Sequence, residues 1–188
     1  MISLDLSYTK PQLEIFFENP EGTRFLIVTK GRRFGATKGA SNAFIEWAIE
    51  GQKLLWGDTI SGNIDRYVDR YFKPELNKSN IPFSWNTQKK VLQLLTKGGG
   101  YIDFRSADRP ENWEGFGYNK IFLNEAGIIL KNDYLYTNAV LPMLMDYQGS
   151  MLIAAGVPKG KFTKNEKEHR FYSLYKSAKS GLKGYRVL

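Results

Sequence analysis

Phe25-Leu26-Ile27-Val28-Thr29-Lys30-Gly31-Arg32-Arg33-Phe34-Gly35-Ala36-Thr37-Lys38-Gly39 reads as a strand, a basic loop between two glycines and the first turn of a helix. Apolar residues recur at Ala36, Ala40, Ala43, Phe44, Trp47 and Ala48, which is helical spacing, and Gly51 is a fitting stop. Strand, glycine loop and helix in this order build a phosphate-binding loop. The glycines let the backbone curl with its N–H groups inward, and the helix presents its positive end to the anion. Thr37, at the start of that helix, is placed to hold Mg²⁺.

The usual spacing of such loops, G-x-x-x-x-G-K-[ST], is not met. Three residues separate Gly31 from Gly35, and Ala36 stands where a lysine is expected. Lys38 is no simple replacement, because two residues along a helix is a rotation of roughly 200°. A cation on the phosphates is better supplied by Arg32, Arg33 or Lys30, with Arg33 favoured as the arginine nearer Gly35. The alternative reading is a glycine-rich turn with a solvated basic rim.

Composition narrows the chemistry. The 188 residues suit one domain with a substantial core, and 42% hydrophobic and 14% aromatic residues are those of a folded protein. A formal charge of +8 makes a polyanion a plausible partner. Zero cysteines exclude disulfides and thiolate chemistry, and a single histidine, His169, argues against a His-built metal cluster or a Ser-His triad. Catalysis therefore has to rest on carboxylates, Lys, Arg and hydroxyls. No apolar run approaches a membrane span and no signal-peptide pattern opens the chain, so a cytosolic protein is expected.

Further along, Pro11 opens a short helix whose Gln12 could read an adenine edge or be an ordinary surface amide. Lys53–Trp56 reads as a strand, and residues 62–77 as a helix with Ile64, Tyr67, Val68, Tyr71 and Phe72 on one face. Residues 89–95 and 101–105 flank Gly98-Gly99-Gly100 as an antiparallel hairpin. After a polar loop over 106–117, Lys120–Ala126 is a short buried-type strand with a polar end. Residues 132–147 read as a helix interrupted near Pro142, 151–155 as a buried-type strand, and 165–179 as a basic helix with Phe171, Leu174 and Tyr175 inward. Alternating strands and helices predict an α/β fold with a mainly parallel sheet, whose ligands sit at the carboxyl ends of strands. Three such ends carry chemistry: the Gly31 loop, Asn124-Glu125, and Gly156-Val157-Pro158-Lys159-Gly160. A glutamate in the place of Glu125 orients an attacking water in nucleoside triphosphatases, and Asn124 occupies the metal position with a neutral amide.

Taken together, Pro11-Gln12, Gly31-Arg32-Arg33-Phe34-Gly35, Ser106-Ala107-Asp108-Arg109-Pro110-Glu111-Asn112, Ile121–Ala126 and Val157-Pro158-Lys159-Gly160 resemble the ATPase domain of a tailed-phage terminase large subunit. The resemblance implies a P-loop (RecA-like, ASCE-type) fold carrying an inserted antiparallel hairpin, with residues 1–188 as one ATPase domain of a longer chain whose nuclease domain is absent. It implies ATP and Mg²⁺ as cofactors, with nucleotide bound by Gln12 and by Gly31, Arg32, Arg33, Phe34, Gly35, Ala36, Thr37 and Lys38. Thr37 and Asn124 would serve the metal, Glu125 the water, and Gly156–Gly160 the coupling of hydrolysis to movement. An arginine acting on a neighbouring subunit's ATP is expected from Arg109, Arg105 or Arg24, with Arg109 preferred, since Glu114 stands where many relatives have it. The implied partners are double-stranded DNA, a homo-oligomeric ring (a pentamer) on the portal, and the small terminase subunit, in the host cytoplasm and away from membrane. Lysines 159, 161, 164 and 167 with Arg170 are the densest basic stretch. Ala36, Asn124 and Val157 depart from the family's lysine, aspartate and threonine. Two other readings follow: a non-hydrolysing DNA-binding or assembly module on the same fold, and a helicase-like ATPase of another lineage.

Overall fold

The computed structural model describes residues 4–31, 34–113, 116–147 and 150–188. Its strands are β1 (Phe25–Thr29), β2 (Lys53–Asp58), β3 (Phe83–Asn86), β4 (Val91–Leu94), β5 (Tyr101–Ser106), β6 (Lys120–Asn124), β7 (Met151–Gly156) and β8 (Tyr185–Val187). They form one sheet in the order β3-β4-β5-β2-β6-β7-β1-β8. From β5 to β8 every neighbouring pair is parallel, while β4 pairs antiparallel with β5 as the expected hairpin and β3 adds antiparallel beyond it. The α/β fold with a mainly parallel sheet is thus as anticipated.

Helices cover both faces, which is why the central strands are nearly continuous apolar runs. On one side α1 (Lys10–Phe16), α2 (Ala36–Ile49), α3 (Ser61–Tyr67) and α4 (Lys73–Lys78) pack on Leu26, Val28, Leu54, Trp56 and Phe122. Trp56 is the hub of that core, with the rings of Phe44, Phe72, Phe104 and Phe122 at 4.7–6.1 Å. Such pairs add about 0.5–1.5 kcal/mol each beyond the area they bury. The alternate residues Ile27, Leu55, Ile121, Leu123 and Leu152 face the other side. There they meet Trp113, Leu135, Val140 and α7 (Arg170–Lys179), whose Phe171 and Leu174 are buried as expected.

Several boundaries differ from the sequence reading. The helix expected over 62–77 is wound as a π-helix at Val68–Phe72 between α3 and α4, and Leu135–Val140 is likewise a π-helix before α6 (Leu141–Met143). Both wide turns end two residues before a proline, Pro74 and Pro142. Proline lacks the N–H for the i−4 carbonyl and crowds it, and a wide turn accommodates both. The basic helix begins at Arg170 instead of 165, because Phe162 and Glu168 pair across a tight turn first. β2 runs on to Asp58, and β8 has no counterpart in the sequence reading.

Register brings the chemistry to one edge. Thr29 lies level with Gly156, Asn124 with Ala155, Gly57 with Leu123, and Asp58 with Ser106. The carboxyl ends of β1, β7, β6, β2 and β5 therefore form a row.

Candidate functional site

At this edge a cleft of about 500 Å³ is lined by Lys30, Gly31, Phe34, Gly35, Ala36, Thr37, Lys38, Tyr71, Glu125, Val157 and Lys159. The loop after β1 forms one wall and α2 the floor. Gly35, at φ +83°, turns the chain into the helix in a conformation that side-chain-bearing residues avoid. No side chain caps α2, so its first N–H groups keep their hydrogen-bonding capacity toward the cleft. Behind the loop, Gln12 is buried; its Nε2 donates to the Gly35 carbonyl at 2.9 Å and its Oε1 accepts from the Thr9 N–H at 2.9 Å. Gln12 thereby braces the loop from below.

Opposite, Lys30 and Glu125 form an ion pair at 2.9 Å, with the lysine side chain only 8% exposed and the glutamate 34%. Glu125 has φ +66°, a left-handed backbone that costs a non-glycine residue about 1–3 kcal/mol and persists where function holds it. That turn aims its carboxylate back across the cleft at the β1 loop. Thr37 Oγ1 donates to Asn124 Oδ1 at 3.3 Å, so two oxygens adjoin beside Glu125. Asn124 Nδ2 in turn donates to the buried Asp58 carboxylate at 2.9 Å. Lys38 turns to α4 and pairs with Glu75, in keeping with a rotation away from the loop.

The segment expected to couple chemistry to movement touches this site directly. A Cβ on Gly156 would lie 2.7 Å from the Gly127 N, and one on Gly127 would lie 2.3 Å from the Val157 carbonyl. Only two glycines let α5 (Ala126–Ile129), which follows Glu125, press against the end of β7. His169 ties the same point to α7: Nδ1 accepts from the Phe171 N–H, so Nε2 carries the proton and donates to the Gly127 carbonyl at 3.1 Å. Burial lowers the His169 pKa, the Gly127 carbonyl opposes that shift and Lys131 adds to it. The folded protein thus holds the ring neutral where the unfolded chain begins to protonate, near pH 6.5. Stability from His169 is complete above that value and is lost as pH falls toward the lowered folded pKa. Thermal melts between pH 7 and 5 should show a steeper loss of Tm in the native chain than in His169→Asn, which caps without titrating. Equal slopes would remove His169 from the pH response.

The three arginines considered for a trans role occupy different places. Arg24 lies before β1, at the far end of the sheet, and binds the carbonyls of Leu144 and Ser150. Arg105 is held by the Lys89 and Phe104 carbonyls and by Asp103. Arg109 is exposed on the loop after β5, on the same edge as the cleft, and lines a second depression with Lys89, Lys90 and Arg105. Arg32, Arg33 and Glu114 lie outside the described residues. Among those described, no group of three or more His, Asp or Glu side chains is placed to hold a metal, and no helix is long and apolar enough to cross a membrane.

One residue here escapes sequence reasoning, and another is ranked below its place in the site. Lys30 enters that reasoning only beside the arginines, though a lysine that directly follows a buried strand is drawn into the cleft its strand points to. Asp58 escapes because the sequence reading ends β2 at Trp56; an acid two residues on, after Gly57, is the available signal.

No protein-family model and no curated protein matches the chain. Solved structures do. The ATPase domain of the Thermus phage P74-26 large terminase aligns with a TM-score of 0.73 at 18% identity, over 92% of this chain and 70% of that one. The fold is that of a large-terminase ATPase domain. The large terminase of a thermophilic bacteriophage, in complex with ADP, gives 0.74 at 17% identity, over 96% of this chain and 45% of its own. The HK97 bacteriophage large terminase gives 0.75 at 13%, over 97% and 39%. The thermophilic-phage enzyme has also been solved with ATP-gamma-S. This chain spans less than half of the thermophilic-phage and HK97 terminases, and what a terminase fold does here has to be argued from its site.

Proposed function

We propose that residues 1–188 are the ATPase domain of a terminase large subunit, a piece of a longer DNA-packaging motor protein. One observation carries the reading: the uncapped end of α2, the largely covered Lys30 side chain and the strained Glu125 converge on a single cleft at the carboxyl ends of parallel strands. Helix N–H groups and a lysine receive phosphates, and a carboxylate facing them orients water. The thermophilic-phage terminase complexes with ADP and ATP-gamma-S support a nucleotide as the ligand.

In this reading the β- and γ-phosphates lie between Gly31–Thr37 and Lys30. Thr37 Oγ1, on the cleft wall, and Asn124 Oδ1, buried directly behind it, are oxygens suited to a hard cation. They would hold Mg²⁺, a hard cation that one or two protein oxygens can bind together with substrate phosphates. When bound, Mg²⁺ would supply positive charge against the phosphates during transfer. Glu125 takes the proton of the attacking water after Lys30 has moved from its carboxylate to the phosphates. Gly127 and Gly156 then pass the change at Glu125 to Val157–Gly160. Arg109, exposed on the same edge, is the arginine offered to a neighbour in a homo-oligomeric ring on the portal, with the small subunit as a further partner. The exposed Lys161, Lys164 and Lys167 are where the double-stranded DNA backbone is met.

Titration with a fluorescent ATP analogue, with and without Mg²⁺, tests the reading. Saturable binding strengthened by Mg²⁺ is expected. A flat titration would instead favour a non-hydrolysing assembly or DNA-binding module, which Ala36 and Asn124 would suit.

A further inference from the structure

The departure of Asn124 from an acidic residue leaves the metal position without charge of its own, yet a carboxylate stands directly behind it. Asp58 ends β2, next to β6 in the sheet, and is 1% exposed. Its Oδ1 accepts from the Thr59 N–H at 2.7 Å, the Thr59 hydroxyl at 3.2 Å and Asn63 Nδ2 at 3.3 Å, and its Oδ2 accepts from Asn124 Nδ2 at 2.9 Å. All four donors are neutral. Among the described residues no cation is paired with Asp58, whereas a buried carboxylate ordinarily has a counter-charge.

We propose that Asp58 is a positioning residue that supplies the missing charge of the Mg²⁺ site through Asn124. The inference rests on the ATPase reading above. With Nδ2 committed to Asp58, the Asn124 amide has a single orientation, and its Oδ1 faces Thr37, which lines the cleft. Donation to a carboxylate polarises the amide and makes that oxygen a stronger ligand. The cation in turn is the counter-charge that the buried carboxylate lacks. The carboxylate normally found at the end of the metal-binding strand has in effect moved one strand sideways, with an asparagine as the relay.

The test measures affinity for a fluorescent ATP analogue in Mg²⁺ and in EDTA, alongside thermal melting. Asp58→Asn should reduce the Mg²⁺-dependent gain in affinity about tenfold or more, as the loss of a carboxylate behind a metal ligand generally does. Its affinity in EDTA should stay as in the native chain. Moving the charge forward in the double variant Asp58→Asn/Asn124→Asp keeps the hydrogen bond and should restore the Mg²⁺ gain. A merely structural Asp58 would instead lower Tm and weaken binding equally in both buffers, and that result overturns the proposal. So does an unchanged Mg²⁺ gain in Asp58→Asn. If Asp58→Asn does not fold, the double variant decides alone: a native Mg²⁺ gain supports the relay and its absence overturns it. Failure of the native chain to bind the analogue in either buffer would remove the ATPase reading itself, which the variants then need not be measured to show.

Discussion

Glu125→Gln is expected to cut ATP turnover by about a hundredfold or more, the range over which a positioned general base contributes, while nucleotide affinity holds or rises. The amide keeps the shape of the side chain but loses the basicity that activates water, so the loss falls on the chemical step. The carboxylate is also the present partner of Lys30 at 2.9 Å. Removing its charge frees the ammonium for phosphates, which is why affinity should not fall. The rise is modest, because a glutamate 34% exposed is well screened by water. Single-turnover hydrolysis and analogue titration, in whichever assembled form turns ATP over, separate the two effects. An unchanged rate would remove Glu125 from the mechanism, and a drop in affinity matching the drop in rate would make it a structural residue.

How far the chain can be read in advance follows from where the information lies. β1, β6 and β7 are legible because strands buried on both faces need unbroken apolar runs, and α2 because its apolar positions repeat at helical spacing. With them comes the edge on which Gly31, Asn124, Glu125 and Gly156 meet. Asp58 is not legible, because its meaning depends on β2 lying beside β6, a pairing that joins residues far apart in sequence. Gly57 marks the same limit: a Cβ there would strike Trp113 and Leu123, so a residue resembling a strand stop is a packing requirement inside the strand. The start of α7 depends on a local turn, Phe162 to Glu168, that hydrophobic periodicity does not register. β8 has only three residues, none fully buried, and exists because the end of the chain adds beside β1. Gln12 shows one side chain with two readings. Its amide is expected at a nucleotide, and its bonds to Thr9 and Gly35 put it beneath the loop that would hold one.

The second large effect concerns the cation that stands in for the absent loop lysine. Sequence spacing favours Arg33, then Arg32, whereas the geometry favours Lys30, whose ammonium is drawn into the cleft beside Gly31 and Glu125. A lysine on the β/γ-phosphates makes charge-assisted bonds worth roughly 1.5–3 kcal/mol, about tenfold to a hundredfold in affinity. Lys30→Ala should therefore weaken ATP-analogue binding on that scale. Lys38→Ala should do far less, because its ammonium is already committed to Glu75 across the α2–α4 contact. Lys30→Met keeps most of the buried stem and lacks only the charge, so a similar loss in that variant would assign the effect to the ammonium instead of to packing. Arg32→Ala and Arg33→Ala complete the set. If either arginine variant loses a hundredfold while Lys30→Ala binds as the native chain does, an arginine fork holds the phosphates and the Lys30–Glu125 pair is structural. If Lys30→Ala and Glu125→Gln shift affinity in opposite directions, the ion pair competes with the nucleotide for the lysine. In that case ATP binding itself frees Glu125 for the water it is to activate.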